Sequence, residues 1–191
     1  PSTSIFVLDT SGSMYGERID AMRNALKVLA GTQANSASAR YMRFQSREKV
    51  VLITFSDRVS MPTLVSFEPT TLNDSRTKVN QLADELQANG GTAIYDALIQ
   101  AQRLATQERQ SDPERFISIV LLTDGANTAG MSFKAFQSGT PVQGATRVFP
   151  ILFGESDTDE MSALASYTGG RVFDGRKASL GQVFKEIRGY Q

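Results

Sequence analysis

The sequence predicts one α/β domain built on a doubly wound, largely parallel sheet. Two observations carry this expectation. Apolar runs of strand length, rich in Val, Ile and Phe, recur at 5–8, 50–55, 116–122 and 148–153. They are continuous rather than alternating, as in strands covered on both faces. Between them lie segments whose apolar residues return every three or four positions, the period of amphipathic helices. Strands alternating with helices give βαβ units and hence a parallel sheet.

In chain order, the first strand at 5–8 leads to a helix marked by Ile19, Met22, Leu26 and Leu29. Residues 32–46, rich in Ala, Ser, Gln and Asn, either extend that helix or form a long loop. After the strand at 50–55, residues 56–72 contain Pro62 and Pro69, which suits a short edge strand and a surface loop. Val79, Leu82, Ala83 and Leu86 mark a second helix, and Ile94, Ala97, Leu98, Ala101, Leu104 and Ala105 a third. Beyond the strands at 116–122 and 148–153, a helix around Met161, Leu164 and Ala165 stops at Gly169 and Gly170. A weak strand is expected at 171–173. The last helix, 179–190, carries Leu180, Val183, Phe184 and Ile187 on one face, and Ser179 with Gln182 has capping-box spacing.

Composition removes several function classes. The 191 residues contain no Cys, His or Trp, so a Ser-His-Asp triad, a thiolate nucleophile, a disulfide and the usual zinc ligands are all absent. Twenty basic and twenty acidic residues give zero net charge, which lacks the basic footprint of nucleic-acid or anionic-membrane binding. No apolar run approaches the roughly 18 residues that span a bilayer. Apolar residues begin at Ile5 with almost no leader, so residues 1–191 are expected to be one domain excised from a longer chain.

The chemistry concentrates where strands end. The first strand runs directly into Asp9-Thr10-Ser11-Gly12-Ser13, placing oxygen side chains at three alternate positions at the carboxyl end of a buried strand. Ligand sites of open α/β sheets lie at that end. One carboxylate and two hydroxyls suit a hard divalent cation. The strand at 116–122 is followed by Thr123-Asp124-Gly125, so a second carboxylate reaches the same rim, where a cation between the two acids would relieve their repulsion. A third loop, Asn89-Gly90-Gly91-Thr92, can bring one more neutral oxygen. Taken singly, each motif has a plainer reading: a helix N-cap, a turn, or a helix stop followed by a cap. Their joint order and strand-end placement favour a metal site.

Together these residues resemble the von Willebrand factor type A family over essentially the whole chain, and read most like its bacterial members. The family's metal-ion-dependent adhesion site has the pattern Asp-x-Ser-x-Ser, then Thr, then Asp, matched at Asp9, Ser11, Ser13, Thr92 and Asp124. Similarity extends through Ile53-Thr54-Phe55-Ser56, residues 91–98 and residues 121–125. The resemblance implies a three-layer α/β/α, Rossmann-like sheet of about six strands with one antiparallel edge strand. It implies Mg²⁺, with Mn²⁺ or Ca²⁺ as substitutes, bound directly by Ser11 and Ser13, directly or through water by Thr92, and mainly through water by Asp9 and Asp124. One coordination position is left for a Glu or Asp of a protein partner. In relatives, ligand capture shifts the C-terminal helix, here 179–190, although static packing accounts equally for its amphipathic pattern. A non-enzymatic adhesion module follows, monomeric as an isolated domain, binding no nucleic acid and, by family analogy, extracytoplasmic.

Three other readings compete with this one. Asp9-Thr10-Ser11-Gly12-Ser13 echoes the aspartic protease motif but carries an inserted residue, and the helical periods contradict an all-β fold. A Mg²⁺-dependent phosphoryl-transfer enzyme would use Asp9 as nucleophile, but the haloacid dehalogenase pattern wants an Asp where Ser11 stands. No Walker-type phosphate loop occurs. A structural domain with a purely stabilising metal is the third.

Overall fold

The computed structural model describes residues 1–31, 44, 46–154, 158–177 and 180–190. Six strands form one sheet: β1 (Ser2–Asp9), β2 (Glu48–Phe55), β3 (Thr63–Phe67), β4 (Phe116–Thr123), β5 (Val148–Leu152) and β6 (Phe173–Asp174). Their order is β3-β2-β1-β4-β5-β6. All neighbours are parallel except β2 and β3, so the antiparallel strand stands at the edge. The helices are α1 (Glu17–Ala30), α2 (Leu72–Glu85), α3 (Ile94–Ser111), α4 (Phe133–Gly139), α5 (Thr158–Thr168) and α6 (Leu180–Gly189). The sequence predicts all but α4, which is too short to show a period.

Alternate residues of each continuous apolar strand serve opposite faces of the sheet, as the period-two geometry of a strand requires. On one face, Phe6, Leu8, Val50, Leu52, Val120 and Leu122 pack with Met22, Leu26 and Leu29 of α1, Val79 of α2, and Val183, Phe184 and Ile187 of α6. On the other, Ile5, Val7, Val51, Ile53, Ile119 and Leu121 pack with Leu98 and Ala101 of α3, Phe136 of α4, and Met161 and Leu164 of α5. This is the expected three-layer sandwich. The first helix ends at Ala30, and Gly31 in the left-handed region supplies its stop. The choice between helix and loop beyond it falls on residues 32–43 and 45, which lie outside the described residues, as does Ser179 of the expected capping box. The weak strand is observed at Phe173–Asp174, shifted from the expected 171–173.

Because β1 is flanked by β2 on one side and β4 on the other, the chain winds away from the sheet centre in both directions. The switch point between β1 and β4 opens a crevice at their carboxyl ends. Asp9 is the last residue of β1, and Asp124 follows the last residue of β4.

Candidate metal centre

Residues 10–15 leave β1 as a tight loop. Gly12–Met14 form one 3-10 turn, and the Met14 side chain is fully buried in the core, pinning the loop from below. Three rim loops are then joined by backbone hydrogen bonds. Thr10 N–H donates to the Phe55 carbonyl (2.8 Å), Gly12 N–H to the Gly90 carbonyl (2.9 Å), and Asn89 N–H to the Thr10 carbonyl (2.8 Å). On the far side, the Thr128 N–H donates to the Thr92 carbonyl (2.9 Å), and the Thr92 N–H to Thr128 Oγ1 (3.0 Å). The loops carrying Asp9, Thr92 and Asp124 are thus held in one frame.

Within that frame Asp9 and Asp124 are 0% and 1% exposed, Ser11 is 1% and Thr92 3% exposed, whereas Ser13 is exposed. The site is therefore buried below and open to water at Ser13. The Ser11 and Ser13 hydroxyls lie 3.1 Å apart. Asp9 Oδ1 accepts from the Ser11 N–H (2.8 Å), and Oδ2 accepts from Thr123 Oγ1 (2.6 Å). Burial pushes the Asp9 carboxyl above its ordinary value of 3.8; hydrogen bonds from Ser11 and Thr123 oppose this, and the nearby Asp124 adds to it. Asp124 Oδ2 lies 3.3 Å from a guanidinium nitrogen of Arg18, the one salt bridge that either acid makes among the described residues.

Some of these residues lie outside the expected ligand set. Thr123 orients Asp9, and its hydroxyl accepts from the Gly125 N–H (3.1 Å). Asn127 Oδ1 accepts from the Ile94 N–H (3.0 Å), capping α3 from another loop. Arg18 also donates to the Ser13 carbonyl (3.1 Å). Thr123 had a signal in its adjacency to Asp124; Arg18 and Asn127 had none, because their contacts depend on how the loops fold together.

The donor set fits a hard divalent cation. It offers only oxygens, two from buried acids and the rest from hydroxyls, and the single guanidinium does not balance both acids. Among the described residues no three His, Cys, Asp or Glu side chains converge to hold a metal; here hydroxyls would have to complete the shell.

An open sheet wound both ways from a switch point, with paired carboxylates and hydroxyls at its carboxyl rim, defines a class of α/β ligand-binding domains. Within that class the chain belongs to the von Willebrand factor type A family, whose domain model matches residues 4–127. Inter-alpha-trypsin inhibitor heavy chain H4 from Homo sapiens is 35% identical over 136 residues, which is 68% of this chain but 13% of that protein. Heavy chain H3 from Mesocricetus auratus is 35% identical over 138 residues, 69% of this chain and 14% of that protein. The chain thus spans a small fraction of these relatives. Among solved structures, a von Willebrand factor type A protein from Catenulispora acidiphila superposes with a TM-score of 0.69 at 22% identity, covering 97% of this chain and 41% of that one. An aerotolerance-related membrane protein from Bacteroides fragilis gives 0.66 at 17% identity, covering 99% and 98%. Domains of this family are commonly interaction modules. No helix of the described residues is long and apolar enough to cross a membrane.

Proposed function

We propose that this domain is a metal-ion-dependent binding module that captures a carboxylate of a protein partner and turns over no substrate. Asp9, Ser11, Ser13, Thr92 and Asp124 would hold Mg²⁺, or Mn²⁺ or Ca²⁺ in its place. The observation that carries this reading is a pair of almost fully buried carboxylates at the switch point, beside hydroxyls that open to water at Ser13. Burying two acids side by side is costly unless a cation neutralises them. A bound Mg²⁺ supplies a Lewis-acidic corner for an incoming Glu or Asp side chain. Tyr15, 82% exposed at the end of the same loop, offers the partner an aromatic surface. By family analogy we place the domain outside the cytoplasm.

The phosphoryl-transfer alternative draws no support from the geometry. Both Asp9 oxygens are engaged by Ser11 and Thr123, and the side chain is fully buried. Each oxygen keeps a lone pair for a metal-bound water, but a nucleophile must be reached by the substrate itself, and this carboxylate is not.

Melting in EDTA against Mg²⁺ tests the reading. At a free ion level of 100 times Kd, linkage gives about 2.7 kcal/mol, a rise of about 5–10 °C for a domain of this size. Asp9→Ala should show no rise. Equal melting with and without the ion in the unaltered protein would refute the site. Ion-dependent hydrolysis in a phosphate-ester screen, lost in Asp9→Asn, would reverse the functional assignment.

A further inference from the structure

We propose that Arg18 is the built-in counter-cation of the site and limits how tightly the divalent ion is held; this rests on the metal reading above. Arg18 is the second residue of α1, immediately beyond the site loop. Its guanidinium bridges the Asp124 carboxylate (3.3 Å) and the Ser13 carbonyl (3.1 Å), touching two of the five proposed ligand residues at once. The pair has a wall behind it. A Cβ on Gly154 would lie 3.0 Å from the Asp124 Cβ and 3.3 Å from the Arg18 Cζ, so a side chain there would crowd both.

The charge account fixes the role. Asp9 and Asp124 carry two negative charges, and Arg18 leaves one of them uncancelled. A divalent ion then reverses the sign to a single positive charge, which one partner carboxylate cancels. Without Arg18 the ion and the two acids would already be neutral, and the pull on an incoming acid would be weaker. Arg18 therefore weakens metal binding and strengthens anion capture. Its effect is moderated by water: the side chain is 39% exposed and borders a cleft of about 600 Å³ lined also by Phe153, Gly154 and Gly175, so its field is partly screened.

Calorimetric titration of Mn²⁺ at low ionic strength tests this. Arg18→Gln should bind the ion about tenfold more tightly than the unaltered protein, Arg18→Lys should stay within about threefold of it, and the gain should shrink in high salt. Were Arg18 merely a brace for the Ser13 carbonyl, its removal would loosen the loop and weaken binding. An unchanged or weaker affinity in Arg18→Gln, with normal binding in the unaltered protein, overturns the proposal and leaves the metal reading standing. Absence of binding in every protein removes the metal reading and this one with it. Circular dichroism checks that the variants fold; if Arg18→Gln does not, Arg18→Met, which keeps the aliphatic stem, is titrated instead with the same expectation.

Discussion

The two ends of the parallel sheet bury polar groups in opposite ways. At the amino end, the Gln102 side chain donates to the Thr146 carbonyl and accepts from the Thr146 N–H, both at 2.8 Å. Beside it Thr168 Oγ1 accepts from the Val148 N–H (2.9 Å) and donates back into α5. The hydrogen bonding of these groups is closed within the protein, and among the described residues no charge is fully buried at this end. At the carboxyl end, Asp9 and Asp124 are as deeply buried, yet the one guanidinium there pairs with Asp124, and Asp9 makes no salt bridge among the described residues. The amino end satisfies these polar groups within the protein, while the carboxyl end keeps an electrostatic deficit that a ligand can fill.

Substitutions that separate these ends sharpen the contrast. The largest expected loss is Gly170→Ala at the amino end, where the new methyl would overlap the Val148 carbonyl oxygen. Backbone cannot yield as a side chain can, so about 4 kcal/mol should be lost, about 8–16 °C in melting temperature. A variant melting within 2–3 °C of the parent, at about 2–4 °C per kcal/mol, would contradict the close approach. Gln102→Leu comes next. It strands the Thr146 N–H and carbonyl together and should cost about 2–3 kcal/mol, with the Mg²⁺-induced rise in melting temperature intact. A lost Mg²⁺ response in this variant would mean that the two ends are coupled, against the contrast drawn here.

The smallest effect belongs to Asp9→Asn in EDTA, and its sign is the informative part. The Asp9 carboxyl titrates above 3.8 in the folded chain, so the folded state holds this proton more tightly than the unfolded one. Its contribution to stability is present below 3.8 and is lost as pH rises through the folded value. At neutral pH the metal-free variant should therefore melt no lower than the parent, and should lack this pH dependence. Saturating Mg²⁺ should reverse the order, stabilising the parent alone. Denaturant melts across pH 3.5–7, about the range bracketing a raised Asp carboxyl, decide it; a variant clearly weaker than the parent in EDTA at pH 7 would show that Asp9 is not a burden.

How much of this was legible beforehand follows from the range of the forces. Continuous Val, Ile and Phe runs mark β1, β2, β4 and β5 because burial on both faces is a local demand on sequence. The edge strand β3 is fainter, since Pro62 and Pro69 bracket only five residues of it. The helix α4 and the true position of β6 depend on tertiary docking, which leaves no period in seven residues or in two. Asp9, Ser11, Ser13 and Asp124 could be singled out because strand ends place them, and the structure brings their loops to one rim. Arg18, Thr123 and Asn127 lie outside the expected ligand set because the contact that gives each its role spans 33 residues or more of sequence, from Arg18 to Asp124, from Asp9 to Thr123 and from Ile94 to Asn127.

The lacing of the rim by main-chain bonds between Thr10, Phe55, Gly12, Gly90 and Asn89 has an evolutionary corollary. Amide and carbonyl groups are common to nearly every residue, so neighbouring side chains on these loops can be exchanged while the lattice that aims the oxygens stays as it is. A lineage could thus acquire a new docking partner by repainting the crater's lip, without having to reinvent the crater.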